Sequence, residues 1–527
     1  MTYEDIGKLI GVSMHRTTLV LLAFVFAATP AFAASIAIRI DQGVLNGETE
    51  DDVQVFRGIP FAAPPVGDLR WRAPQPAPGW AKPRDATAFG PICSQNEHIT
   101  MFMPKLPQSE DCLTLNVWSP NTTSAAKLPV MVWIYGGGFL NGGSAAPIYD
   151  GTDLAKHGVV IVSFNYRLGE LGFFAHPAVL GENKDEATGN FGLLDQIAAL
   201  KWVQKNIAAF GGDPSNVTIF GESAGGMSVN DLIASPMARG LFAKAISESG
   251  LGLNTVPTLA EAQKSSTEFA TQMGVNGSDA TALAKLRALK VEDILKNQGS
   301  LATEGHVAPF IDGKLIPSDV SMLFARGEIA KVPYIAGSNS NEASLAPALG
   351  SDLQKGLSVF GDQLPKVRAI YEANGPLTDA EFARQVFGDG LFTSAAQALA
   401  GFAAKAGEPA RVYHFAYVAD HYKGKMVGVG HGGEIAFVFG LRGLGFIGNF
   451  ASDKDRSVVA QTQAYWTNFA KIGDPNGPGL PEWPAFSTAS QNTLVIDDTT
   501  KAVADFRKGQ VGVMTARWGQ RVGTAAP

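Results

Sequence analysis

The chain has 527 residues, with 42 Lys and Arg against 49 Asp and Glu and a formal net charge of −7. Charged residues make up 17% and AVILMFWYC 46%, the opposite of the balance that keeps a chain disordered. No basic run exceeds two residues, so the clustered Lys and Arg that neutralise phosphates are missing and no nucleic-acid partner is expected.

In chain order, the first feature is the apolar run Leu19–Ala28, preceded by His15 and Arg16 and followed by Ala31-Phe32-Ala33. Residues 1–33 read as a secretory signal, too short to span a bilayer and ending in the small-x-small pattern that signal peptidase cuts. Glu4 and Asp5 suit a positive leader badly, which places the physiological start at Met14. A buried first helix is the alternative. No other stretch is apolar over 18 residues, so an exported protein without a membrane span is expected, in the periplasm or the medium. Export lets Cys93 and Cys112, which enclose 18 residues, form a bridge, a loop closure worth roughly 3 kcal/mol. Two buried thiols are the other reading. His98 is the nearby histidine and no C-x-x-C occurs, so no metal site is expected.

Ile36 to Ile40 and Val53 to Phe56 alternate and read as edge strands. Leu128 to Tyr135, Val159 to Phe164 and Val217 to Phe220 are continuous apolar runs of the kind buried on both faces of a sheet. Between the last two, Leu193, Ile197, Leu200, Val203 and Ile207 recur at helical spacing, ended by Gly211-Gly212-Asp213-Pro214. Val332 to Ala336, Arg411 to Val418 and Thr493 to Ile496 are further strand candidates. Strands alternating with helices argue a mostly parallel sheet covered on both faces. The Ala-rich and polar stretches near 255–305 and 345–405 read as helical insertions. Length alone suggests three or four domains at roughly 150 residues each. The absence of repeats and linkers favours one enlarged α/β domain over residues 34–527.

Gly221-Glu222-Ser223-Ala224-Gly225-Gly226 lies between the strand ending at Phe220 and a helical pattern through Leu232. Strand, sharp turn and helix together turn a G-x-S-x-G string into a nucleophile elbow. Ser223 then stands at a helix N-terminus, where the dipole favours negative charge. Trp133-Ile134-Tyr135 runs into Gly136-Gly137-Gly138, a loop able to bring bare N–H groups, with that of Ala224, to a carbonyl oxygen.

A serine nucleophile needs a base, and triad partners on such an elbow follow in the order acid, then histidine. Of the eight histidines, His306, His414, His421 and His431 come late enough. His306 leaves no room for a preceding acid, His414 sits inside an alternating strand and His421 in a polar loop beside Tyr422-Lys423-Gly424-Lys425. His431, in Gly428-Val429-Gly430-His431-Gly432-Gly433-Glu434, is the expected base. The acid should follow a strand, and Glu342 after Val332–Gly337 fits. Asp312, in the turn Ile311-Asp312-Gly313-Lys314, is the rival, but Asp-Gly is a common turn pair without catalysis.

With these residues in view, the chain resembles the type-B carboxylesterase family, which includes cholinesterases and bacterial para-nitrobenzyl-type esterases. The resemblance runs through Phe56-Arg57-Gly58-Ile59-Pro60-Phe61-Ala62, Ser109-Glu110-Asp111-Cys112-Leu113, Asn165-Tyr166-Arg167, Gly189–Gln196, Phe210–Pro214, His431–Ile435 and Trp466–Lys471. It implies an α/β-hydrolase fold, a central mostly parallel sheet flanked by helices with helical insertions over the active site. It implies Ser223 as nucleophile, Glu342 as acid, His431 as base and Gly137, Gly138 and Ala224 as oxyanion donors. It also implies a Cys93–Cys112 disulfide, structural ion pairs Arg70–Glu110 and Arg167–Asp195, and Glu222 and Ser249 as buried polar neighbours of the triad.

Two departures are visible. Residues 94–111 contain Phe102 but no tryptophan to hold a quaternary ammonium by cation–π contact, so choline esters are not the expected substrate. The family's usual Gly after the acid is Ala343. The expected chemistry is cofactor-free, metal-free ester hydrolysis through an acyl-enzyme, with small-molecule esters as partners and activity rising through roughly pH 6 to 7, the ordinary range of histidine. A catalytically inactive binding module is the alternative class. The string Gly428-x-Gly430-x-x-Gly433 matches a dinucleotide fingerprint but lacks its βαβ frame and its acidic residue.

Overall fold

A computed structural model describes residues 36–96, 106–182, 186–302 and 307–523. The expected leader over 1–33, the start at Met14, and His98, Phe102 and His306 lie outside the described residues. In chain order the strands are β1 (Ile36–Ile40), β2 (Gly43–Glu50), β3 (Val53–Pro60), β4 (Arg84–Asp85), β5 (Ile92–Cys93), β6 (Gln108–Ser109), β7 (Thr114–Ser119) and β8 (Leu128–Ile134). They continue with β9 (Val160–Phe164), β10 (Gly212–Glu222), β11 (Lys244–Glu248), β12 (Tyr334–Asn339), β13 (Ala410–Phe415), β14 (Thr493–Ile496) and β15 (Lys501–Val503).

Among the described residues, 13 strands form one sheet in the spatial order β1-β2-β3-β7-β9-β8-β10-β11-β12-β13-β14-β15, with β4 beside β2. From β9 to β14 every neighbouring pair is parallel. The flanking pairs β1–β2, β2–β3, β3–β7, β7–β9 and β14–β15 are antiparallel. The protein therefore has the α/β-hydrolase arrangement, and its β9, β11 and β12 are buried at every position. Helices cover both faces of such strands, which is why β8 and β9 run apolar without alternation.

Several boundaries differ from the sequence reading. Ile36–Ile40 is an edge strand, but the Val53–Phe56 segment belongs to β3, an interior strand between β2 and β7. The expected stop at Gly211–Pro214 is strand from Gly212 onward, because the helix Phe191–Asn206 passes into a single turn Ile207–Phe210 and β10 follows. β12 and β13 are displaced from Val332–Ala336 and Arg411–Val418 by up to three residues. β11 escaped the apolar pattern because it begins and ends in charge, yet Lys244 and Glu248 are both buried.

The two insertion stretches are helical. The first carries Leu259–Gln272, Ala280–Arg287 and Val291–Asn297, and the second carries Leu364–Tyr371, Asp379–Gly388 and Ser394–Lys405. Thr258 starts the first of these through a capping box with Glu261, satisfying donors that a helix start leaves open. Leu357, Phe360, Val367, Phe382, Val386 and Met514 form a separate apolar cluster that seats the second insertion on the C-terminal helix Lys508–Val522.

Three restraints fasten the layers. Cys93 and Cys112 are joined by a disulfide. Arg70 meets Glu110 through two bonds of 2.6 Å. Arg167 meets Asp195 on the helix Phe191–Asn206 at 2.7 and 2.8 Å, with its backbone N–H adding a third bond at 3.0 Å. No helix among the described residues is long and apolar enough to cross a membrane. Asp195 is fully buried, so Asp195→Ala would strand the Arg167 guanidinium. Its expected cost is about 3–5 kcal/mol, read as a lowered urea midpoint, and a midpoint equal to wild type would contradict it.

Candidate active site

β10 is clamped between β8 and β11, with Gly221 opposite Ile134 on one side and Ser247 on the other. At its end the backbone reverses through Ser223, which takes φ 57° and ψ −123°, a region rarely occupied by residues with a Cβ. The N–H of Ser223 donates to the Glu248 carbonyl at 2.9 Å, and the helix Ala224–Ala234 begins at the next residue. The turn demands glycine where backbones cross. A Cβ on Gly225 would overlap the Ile134 carbonyl oxygen, and one on Gly136 would lie 2.6 Å from the Glu222 carbonyl and 2.9 Å from Ser223 Cβ. The Gly136–Gly138 loop consequently runs alongside the serine. Gly137 and Gly138 carry φ 113° and 63°, and Ala224 occupies the first helical position.

His431 and Glu342 reach the serine from the far side. His431 Nε2 lies 2.8 Å from Ser223 Oγ, and His431 Nδ1 lies 2.6 Å from Glu342 Oε2. In the neutral tautomer that fits both contacts, Nδ1–H donates to the carboxylate and Nε2 accepts from the hydroxyl. Glu342 Oε1 accepts from Ser249 Oγ and from the Asn339 N–H, each at 2.6 Å. The loops of the two residues are laced together. Asn341 N–H donates to the Val429 carbonyl at 2.8 Å, Val429 N–H to Ser340 Oγ at 2.9 Å and His431 N–H to Ser344 Oγ at 2.8 Å.

The rival residues have other duties. His414 Nδ1 lies 3.1 Å from Ser338 Oγ, and burial, with the nearby Arg507 charge, holds its pKa down to about 3, leaving it neutral. His421 is exposed in the turn Asp420–Tyr422. Asp312 Oδ1 accepts from the N–H groups of Lys314, Leu315 and Ile316 at 2.8–2.9 Å, a turn-forming role. Gly428, Gly430 and Gly433 shape the His431 loop, and the helix that follows, Ile435–Phe439, has five residues.

The sequence reading did not single out two further carboxylates. Glu248 and Glu434 are each 0% exposed. Glu248 Oε1 accepts from Trp466 Nε1 at 2.8 Å, and Glu434 Oε2 accepts from Asn339 Nδ2, which also donates to the Gly430 carbonyl. The available signal was a glutamate ending a short buried strand and another three residues after the histidine. Glu222, Glu342 and Glu434 act on the His431 imidazole through their charge, Glu248 lies close enough to influence Glu222 and Glu434, and Glu222 Oε1 lies 3.2 Å from His431 Nε2. Carboxylates packed this closely in low dielectric cannot all ionise. Burial raises Glu222 to about 7 and Glu434 to about 8, and pushes Glu248 upward as well.

Burial alone would lower the His431 pKa. The charges of Glu222 and then Glu342 outweigh it and raise the imidazole to about 9. A base must be neutral to accept the serine proton, and a raised pKa keeps it protonated to higher pH. With His431 as the base, the form able to take the serine proton accumulates above the pH 6 to 7 expected from histidine alone. The ascending limb of kcat/KM should lie alkaline of pH 7, and Glu222→Gln, which removes the leading upward influence, should move it to lower pH. A limb that stays in place in Glu222→Gln would contradict the electrostatic account.

Residues 34–513 match the Carboxylesterase family. The chain is 37% identical over 460 residues to the fumonisin B1 esterase of Sphingopyxis macrogoltabida, covering 84% of this chain and 83% of that protein. It is 38% identical over 480 residues to the para-nitrobenzyl esterase of Bacillus subtilis (strain 168), covering 87% and 94% respectively. Among solved structures, a thermophilic PNB esterase superposes with a TM-score of 0.78 at 34% identity, over 90% of this chain and 99% of that one.

Proposed function

The chain belongs to the carboxylesterase family and hydrolyses carboxylic esters, and we propose that it does so through an acyl-enzyme formed on Ser223. The observation that carries this reading is the unbroken line Glu342–His431–Ser223, with contacts of 2.6 and 2.8 Å. His431 Nε2 takes the hydroxyl proton as Ser223 Oγ attacks the ester carbonyl. Glu342 holds the imidazole in the right tautomer and offsets the imidazolium charge. The N–H groups of Gly137, Gly138 and Ala224 receive the oxyanion, assisted by the N-terminal dipole of the helix Ala224–Ala234. His431 then protonates the leaving alcohol, water enters, and the same imidazole activates it to release the acid.

Choline esters are not among the substrates of this reading. The segment 94–111 has no tryptophan for a quaternary ammonium, and the relatives are named for fumonisin B1 and para-nitrobenzyl esters. Residues 34–527 act as one α/β-hydrolase unit in this account, delivered across a membrane by the leader 1–33, and the disulfide between Cys93 and Cys112 suits an oxidising destination.

Kinetics, labelling and N-terminal sequencing test these assignments. Ser223→Ala should lower kcat on para-nitrophenyl acetate by roughly 10⁴-fold or more while leaving the thermal midpoint close to wild type, and an organophosphate should label wild type but not the variant. A variant that keeps its rate would overturn the nucleophile. N-terminal sequencing of protein recovered outside the cytoplasm should start at Ala34. An intact leader on that material would contradict signal cleavage.

A further inference from the structure

The helix Asp379–Gly388 does not pass directly into the helix Ser394–Lys405. Between them Asp389–Thr393 forms a π-turn. Inserting one residue into an α-helix turns the following side chains by roughly 100°, the angle between successive residues, and such turns recur at functional sites. Here the rotation lays the Phe392 ring against the His431 imidazole, with centroids 5.0 Å apart and planes inclined by 51°. Phe392 is 1% exposed. The residue just before the turn backs onto Glu342, since a methyl on Gly388 would sit 3.6 Å from Glu342 Cβ.

The turn is anchored at both ends. Asp389, buried, accepts from Arg507 Nε at 2.8 Å and from Arg507 Nη2 at 2.6 Å. Thr393 Oγ1 lies 3.2 Å from Ser338 Oγ on β12, one residue before Asn339, whose N–H binds Glu342. The segment is thus fixed to the C-terminal helix and to the strand that delivers the acid.

We propose that Phe392 is a positioning residue for His431, held over the imidazole by this π-turn. The inference rests on His431 being the base. An imidazole bonded at both nitrogens can still swing about its Cα–Cβ bond, and that swing would break the contact to Ser223 and open the Glu342 bond to water. The phenyl ring occupies the space into which the imidazole would swing and keeps water from the Nδ1–H···Oε2 contact. Misplacing a catalytic group by about 1 Å costs on the order of 100-fold in rate, so a ring that prevents it acts on kcat while leaving ester binding largely alone.

The test uses the full chain with para-nitrophenyl acetate, comparing Phe392→Ala, Phe392→Leu and Phe392→Tyr. Phe392→Ala should lower kcat by about 10- to 100-fold with little change in KM, and Phe392→Tyr should restore most of it. The low-field proton resonance of the His431 Nδ1–H should persist in wild type and Phe392→Tyr but broaden through exchange with water in Phe392→Ala. If Phe392→Ala does not fold, judged by its thermal midpoint, Phe392→Leu carries the test on the same readouts. A wild-type kcat with an unbroadened resonance in the smaller variants would overturn the proposal. His431→Gln separates the two readings. If it keeps its rate, the base assignment fails, whereas an inactive His431→Gln beside a fully active Phe392→Ala rejects the positioning role alone.

Discussion

A serine held at φ 57° and ψ −123° cannot relax without pulling β10 from its neighbours, and this constraint organises the rest of the molecule. β10 is paired on both sides in parallel register, so its end cannot move to relieve the turn. The helix Ala224–Ala234 begins immediately after, and its start must approach the Ile134 carbonyl so closely that position 225 has no room for a side chain. The Gly136–Gly138 loop is drawn alongside by the same packing. Strain of this kind costs roughly 1–3 kcal/mol and persists only where surrounding structure over-determines it. The buried parallel strands provide that surplus.

The second organising feature is charge held away from water. Glu222, Glu248, Glu342 and Glu434 are all buried, and the imidazole of His431 meets Glu222 and Glu342 directly. Each carboxylate that keeps its proton spares the site a repulsion, and each that ionises strengthens the hold on an imidazolium. Glu222, Glu248 and Glu434, all pushed upward by burial, titrate together and not one by one. Hydrogen bonds from Ser249, Asn339 and Trp466 distribute that charge over neighbouring strands and the helix Asp453–Ile472, making the polar network part of the scaffold.

Much of this was legible in the amino-acid order. The elbow is written as glycines at 221 and 225 around a serine, because backbone crossings leave a compositional mark. The runs behind β8 and β9 are apolar because both faces are covered. The scarcity of histidine narrowed the base to few positions. What was hidden has a common cause: burial of charge defeats a pattern built on apolar residues. β11 begins with Lys244 and ends with Glu248, so it does not look like a core strand, and the glutamates that act on His431 come from distant segments that only the closed sheet brings together. The π-turn is hidden for another reason. Asp389–Thr393 continues a helical pattern on both sides, and one extra residue in a turn leaves no signature in hydrophobic spacing.

The three residues proposed to act on the ester are far apart in the chain. His431 is separated from Glu342 by 89 positions and from Ser223 by 208, and Arg507, which fixes the turn under the histidine, comes later still. On that assignment, a nascent chain carries Ser223 well before His431, 208 positions later, has been made. The onset of esterase turnover during refolding then reports the closing of contacts between segments 89 and 208 positions apart, not the formation of any one segment.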